Sequence, residues 1–451
     1  TLTSDNGPPM GTVYGSESAS IYVQALALDL FEGDYNASIN IISPDTDPIA
    51  IPVSLSVVGG DSTPTLPIID ISQDADGIVE LPDNTDPIFT SVASRYTHLI
   101  APDGDLIPFL IQNEFTVDQI LHARRVLGSY LTDLPNGEWG ENKSSIANAI
   151  GATNAILFLL NDENEYENPD LLALIASGVK GQDLLATEVF PEGSPAYMNS
   201  SGRDATYEEI LHFIHGYGIQ LASPGMQSAI ESAMANAIEN GYYNPLSDLP
   251  IEDYDEEYLA MGLECFFGIW AHDPSGNGFC GDQEYAFINR QEMQAGDPYL
   301  YGIIRGFFGE TWDYTAKLPE SFNYQFYLSY ENNWDYTYRS QYLRNVQLSG
   351  NNDVSVFGND IVNQLYGNAG NNYFRGFAGD DIMYGSDGID RVIYDFSRED
   401  YVIIPPYATD DSSFQILDIV PDRDGTDHLF GIEEIEFDGV LYNIVDFMDV
   451  D

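Results

Sequence analysis

Gly367-Asn-Ala-Gly370-Asn-Asn372-Tyr-Phe374-Arg, Gly376-Phe-Ala-Gly379-Asp-Asp381-Ile-Met383-Tyr and Gly385-Ser-Asp-Gly388-Ile-Asp390-Arg-Val392 repeat one pattern every nine residues. A glycine opens each unit, a second follows three positions on, an Asn or Asp comes two later, and an apolar residue closes it. A fainter copy precedes them, with Gly358, Asn363 and Leu365 in register and Ile361 in place of the second glycine. Glycine permits tight turns in which carbonyls and a carboxylate face a hard cation. The apolar residue of each short strand then points into a thin core.

The pattern resembles the calcium-binding nonapeptide repeat of RTX proteins, which coils as a parallel β-roll. The resemblance implies Ca²⁺ ligands at Asn372, Asp381 and Asp390, with backbone contributions from Gly370 and Gly379. Without Ca²⁺ the turn carboxylates repel one another, so the segment is expected to fold with its ion. Asn372 stands where the repeat usually has Asp, which limits the expectation to one or two well-made sites.

The 451 residues hold 15 Lys and Arg against 73 Asp and Glu, a formal net charge of −58. Such a surface repels nucleic acid and anionic membrane. It suits divalent cations or high salt, where a Debye length well under ~10 Å screens self-repulsion, and so a marine or salt-adapted setting. With 43% hydrophobic and 13% aromatic residues the chain builds cores rather than a disordered polyacid. No run of about 18 apolar residues is present to span a membrane. The chain starts at Thr1 without Met, as a trimmed precursor or a C-terminal portion would. The RTX resemblance implies an extracellular or cell-surface protein leaving a Gram-negative bacterium by type I secretion, with the acidic, apolar tail Val440 to Asp451 as its signal.

Residues 1–60 read as strands (Ile21 to Leu28, Gly33 to Ile42, Ile49 to Val58) between Gly, Asp and Pro turns and look like part of an Ig-like β-sandwich. Residues 61–87 are rich in Pro, Asp, Gly and Thr and read as a linker. From 88 to 319 the period is mostly α-helical: Thr116 caps one helix, Ser223-Pro224 opens another, and Ala155 to Leu160 is a short buried strand. Residues 320–347 form an aromatic β-rich connector, 348–396 the roll, and 397–451 a β cap. The expected fold class is therefore multidomain α+β.

Two stretches of the helical domain carry metal-binding patterns. Asp273-Pro-Ser275-Gly-Asn277-Gly-Phe279-Cys280-Gly-Asp-Gln-Glu284 fits the EF-hand loop, with oxygens at positions 1, 3 and 5, the Phe279 carbonyl at 7 and Glu284 at 12. Thr206-Tyr-Glu208-Glu209-Ile-Leu-His212-Phe-Ile-His215 is reminiscent of the zincin helix H-E-x-x-H. That resemblance implies Glu208 and His212 as zinc ligands, Glu209 as general base, and Glu264 or Glu257 on a downstream gluzincin-like helix as third ligand, with His215 close by. The same residues have an ordinary explanation: Thr206-x-x-Glu209 as a capping box, Glu208 facing the helix dipole, and the histidines packing the helix. Outside the cell, Cys265 and Cys280 can form a disulfide.

Two functions follow. The first is structural: a surface-layer, adhesin or fibre subunit in which Ca²⁺ rigidifies modules and links acidic surfaces of its own copies or of cell-surface and matrix components. The second is enzymatic: an RTX-type zinc endopeptidase using Glu209.

Overall fold

The computed structural model describes residues 33–43, 46–57, 63–199, 204–246, 249–269, 284–331, 336–408 and 412–448. The chain divides into two units, Thr1–Thr63 and Pro64–Asp451. In the first, strands β1 (Gly33–Ser43) and β2 (Thr46–Val57) pair antiparallel from Gly33↔Val57 to Ser43↔Thr46. The remaining strand expected of an Ig-like module, Ile21 to Leu28, lies outside the described residues.

The second unit begins with a five-stranded sheet where mostly helices were expected. Its order is β3 (Val79–Glu80), β4 (Arg95–Ile100), β5 (Leu106–Ile111), β6 (Ile156–Leu160) and β7 (Gly181–Leu185). The first two pairings are antiparallel and the last two parallel. Pro108 hides β5 from a sequence reading, because proline cannot donate within a ladder. It sits opposite His98 on the β4 side, and the β6 pairing starts only at Phe109↔Leu157.

Alternation along the strands separates two cores. Ile107, Phe109, Ile111, Leu157, Leu159 and Leu184 face the large helical core. Leu110, Ile156, Phe158, Leu160 and Leu185 face a smaller one closed by Ile69, Phe89 and Val92. The Pro/Asp-rich stretch read as a linker thus contributes a strand and a cover from Pro64 onward.

Helix Val117–Tyr130 starts where Thr116 and Gln119 form a reciprocal capping box. It buries His122 completely. His122 Nε2 lies 2.9 Å from Asp204 Oδ2, and Nδ1 lies 3.3 Å from Glu192 Oε2. Glu192 Oε1 also accepts the Tyr314 hydroxyl at 2.5 Å. Burial disfavours the imidazolium, yet the Glu192 and Asp204 charges outweigh it and push His122 up to about 9.

The chain then winds into a solenoid. Strands β8 (Trp312–Lys317), β9 (Gln325–Tyr327), β10 (Leu343–Gln347), β11 (Ser355–Phe357), β12 (Gln364–Tyr366), β13 (Tyr373–Arg375), β14 (Ile382–Tyr384) and β15 (Arg391–Tyr394) are followed by β16 (Tyr401–Ile404), β17 (Phe414–Asp418), β18 (Thr426–Phe430), β19 (Glu434–Phe437) and β20 (Val440–Asn443). One sheet runs β16-β17-β18-β14-β12-β10-β8, the other β20-β19-β15-β13-β11-β9. From β9 to β15 successive strands alternate between the sheets. From β11 to β15 same-sheet partners are 18 residues apart, as in Val356↔Phe374 and Leu365↔Met383. Val356, Leu365, Phe374, Met383 and Val392 are all fully buried between the sheets. The aromatic segment 320–347 supplies the solenoid strands β9 and β10.

His122→Ala leaves Glu192 and Asp204 buried around a lost charge, and is expected to destabilise the fold by about 3–5 kcal/mol in chemical denaturation. Because the folded pKa lies above the unfolded value, the stabilisation is full below about pH 6.5. It declines as pH rises through about 9. A wild-type denaturation midpoint that stays flat from pH 6.5 to 9.5 would count against a charged His122.

Candidate metal centres

Successive turns of the solenoid stack their Asn and Asp residues in two rows. In one, the Asn363 amide donates to Asp381 Oδ1 at 2.7 Å. In the other, the Asn372 amide donates to Asp390 Oδ1 at 2.7 Å. The four side chains are completely buried.

The asparagines satisfy themselves. Asn363 Nδ2 donates to Asn359 Oδ1 at 2.9 Å and to the Arg344 carbonyl at 3.4 Å, while its Oδ1 accepts from the Asn359 amide. Asn372 does the same with Asn368 and the Val354 carbonyl. The aspartates lack that amide donor, and Asp381 Oδ2 and Asp390 Oδ2 have no hydrogen-bond partner.

Burial pushes Asp381 up to about 8 and Asp390 up to about 6. Glycine makes room for each oxygen: a Cβ on Gly376 would lie 2.1 Å from Asp381 Oδ2, and one on Gly385 2.5 Å from Asp390 Oδ2. Gly370 donates its amide to Asn368 Oδ1, and Gly379 turns with φ +120°. A buried carboxylate oxygen without a donor fits a hard cation. The expected ligand Asn372 is instead tied up by its own turn.

The helical domain brings together a second group. Helix Thr206–Ile214 follows β7 and carries Glu208, Glu209 and His212, and helix Tyr254–Phe267 packs against it. One ligand atom each of Glu208, His212 and Glu257 lies within 4.8 Å of the others. His212 is 9% exposed, and its Nε2 has no hydrogen-bond partner. Its Nδ1 lies 3.5 Å from Glu256 Oε1, which holds the ring. Burial works against a charged His212, but the Glu256 contact and the charges of Glu208, Glu209 and Glu257 push it up to about 10.

Glu209 Oε2 accepts from Gln182 Nε2 of β7 at 2.7 Å. Burial, then the neighbouring Glu208 charge, raise Glu209 to about 8. The capping-box explanation does not hold: Ala205 is the N-cap, and Thr206 Oγ1 has no partner.

Two expected neighbours fall elsewhere. Glu264 is completely buried and outside the group, because seven residues carry it two turns, about 10 Å, along the helix from Glu257. His215 opens a π-helix, His215–Ile219, and its Nε2 meets Gln227 Oε1 at 2.9 Å. Its Nδ1 lies 3.6 Å from Glu256 Oε2, so one carboxylate steadies both histidines. Glu256 and Gln182 escaped the sequence reading: an acidic run at a helix start reads as dipole pairing, and a glutamine in a weak strand carries no motif.

Of the EF-hand-like loop, Asp273, Ser275, Asn277 and Phe279 lie outside the described residues, as does Cys280. Glu284 is half-buried, and its carbonyl accepts from the Asn244 amide at 2.7 Å. Cys265 is buried, with Sγ 3.3 Å from the Phe287 carbonyl.

Residues 357–392 match the RTX calcium-binding nonapeptide repeat in four copies. This part of the chain is thus a calcium-binding repeat segment. No curated protein and no solved structure gives a significant match. Among the described residues, no helix is long and apolar enough to cross a membrane.

Replacing both aspartates by the residue that already serves in the preceding turns tests the division of labour. Asp381→Asn with Asp390→Asn is expected to stabilise the metal-free fold by about 1–3 kcal/mol per site and to abolish most of the Ca²⁺-induced rise in Tm seen by calorimetry. An undiminished rise would place the ions elsewhere.

Proposed function

We propose that the chain is an extracellular, calcium-matured metallohydrolase of the endopeptidase type, exported by type I secretion. The observation that carries this reading is His212 Nε2, buried, unpartnered and grouped with Glu208 and Glu257. One imidazole and two carboxylates suit a borderline divalent ion, with zinc the first candidate. Glu208, His212 and Glu257 would hold it. Such an ion, when bound, supplies Lewis-acid polarisation and an activated water.

The chain's own residues account for the rest. Glu209 follows the first ligand directly, is anchored by Gln182, and is a stronger base than a surface carboxylate. Glu256, 3.5 Å from His212 Nδ1, would hold the ring and leave the unpartnered Nε2 for an ion. Strand β7 ends its sheet and lies against the helix carrying Glu209. An extended peptide adding to that edge would pass the candidate base, which favours a peptide substrate.

A second reading is favoured by the formal charge of −58. In it the helical domain is a rigid block, and Ca²⁺ rigidifies the roll and bridges acidic surfaces in a surface layer, adhesin or fibre. Its partners are copies of the chain or matrix components.

Elemental analysis after dialysis against metal-free buffer separates the two. The hydrolase reading expects one transition metal per chain besides calcium, lost in His212→Ala and Glu257→Ala. Glu209→Gln should keep the metal and lower peptide hydrolysis by at least about 100-fold. Calcium alone, with chelator-sensitive multimers, would leave the structural reading standing.

A further inference from the structure

The repeat match ends at residue 392, yet the solenoid does not. After the excursion through β16 and β17, the chain returns at Gly425-Thr-Asp427-His-Leu429-Phe. Strand β18 joins β14 in parallel with Met383↔Leu429, the register that Leu365↔Met383 set one turn earlier. The hydrogen bonds repeat as well. His428 N donates to the Asp381 carbonyl as Ile382 N does to that of Asn363. Thr426 N donates to Asp380 Oδ1 as Asn371 N does to Asp353 Oδ1. A Cβ on Gly425 would meet the Gly379 carbonyl at 2.1 Å, as one on Gly388 would meet that of Gly370 at 2.4 Å.

In this frame Asp427 occupies the place of the repeat aspartate. Its Oδ1 accepts the Asp381 amide at 3.0 Å, the bond that Asp381 Oδ1 itself makes to the Asn363 amide. Its Oδ2 accepts the Tyr394 hydroxyl at 2.8 Å. Asp381 and Asp427 are both about 1% exposed or less, and Asp381 Oδ2 is unpartnered. The other row also continues: the Asp390 amide donates to Glu433 Oε2 at 2.9 Å. Gly431 to Ile435 spans four positions where Gly385 to Val392 spans seven, and the longer glutamate side chain reaches across the shortened turn.

We infer that residues 425–437 are a concealed continuation of the repeat, and that Asp427 and Asp381 together ligate a calcium ion that fastens the C-terminal segment to the roll. The two aspartates are 46 residues apart in sequence. The ion therefore closes a loop through the whole cap, rather than joining neighbouring repeats alone. Burial, then the Asp381 charge, hold Asp427 well above the usual carboxylate range. A divalent cation relieves both at once.

This inference rests on the roll binding calcium, and the test separates the two. In hydrogen exchange of the wild-type chain, Ca²⁺ should protect 425–437 at the same midpoint as 376–392. In equilibrium dialysis with Ca²⁺ alone, Asp427→Asn should bind one ion fewer per chain. Protection of 357–392 without change in 425–437, or an unchanged ion count in Asp427→Asn, overturns the inference and leaves the roll intact. No protection and no bound calcium anywhere overturns both. The wild-type exchange experiment decides the matter even if Asp427→Asn fails to fold.

Discussion

A carboxylate taken out of water needs a positive charge or several donors, and this chain has few positive charges to give. Its cations are largely committed to local contacts. Arg423 binds Asp418 and Asp400, and Arg391 binds Glu434 and Glu436. Lys143 is buried with Nζ 4.3 Å from the centre of the Phe307 ring. Asp381 and Asp390 in the roll have no arginine or lysine bridged to them among the described ion pairs. The positive charge they call for comes from solution.

Under the hydrolase reading proposed above, the two groups would take different ions. In the roll the donors are oxygens set by glycine turns, a hard environment suited to calcium. Between the helices an imidazole joins two carboxylates, which shifts the preference towards transition metals. Trp312, at the start of the first solenoid strand, connects the two regions. Its ring stacks on Phe267 at 3.7 Å and on Tyr207 at 5.0 Å. Phe267 ends the helix of Glu257, and Tyr207 precedes Glu208. Trp312 thus packs the start of the solenoid against both helices, and on the proposed hydrolase reading this contact would be the route by which calcium-ordered turns brace the second group.

How much the sequence disclosed varies with how local the cause is. The nine-residue period showed the solenoid strands around Phe374, Met383 and Val392, because each turn is specified by its own glycines. The cap at Thr116 was equally legible. The five-stranded sheet was not, since Pro108 interrupts β5 and Gly181-Gln-Asp-Leu-Leu is a weak strand. Glu208, Glu209 and His212 stood out by spacing on one helix. The choice of Glu257 over Glu264 depends on how two helices meet, which no spacing within either one fixes. The continuation at Asp427 was masked by the intervening hairpin, which breaks the period without breaking the stack.

Strand alternation places a condition on how such a solenoid lengthens or shortens. Each nonapeptide moves the chain from one sheet to the other, and the closing strands are matched to particular sheets: β18 to β14, β19 to β15. Inserting a single nonapeptide would deliver the C-terminal segment to the wrong side, with Leu429 and Ile435 out of phase with the core. Two nonapeptides restore the match. The roll is therefore quantised in units of 18 residues, so relatives and engineered variants that keep this cap should differ in length by whole turns.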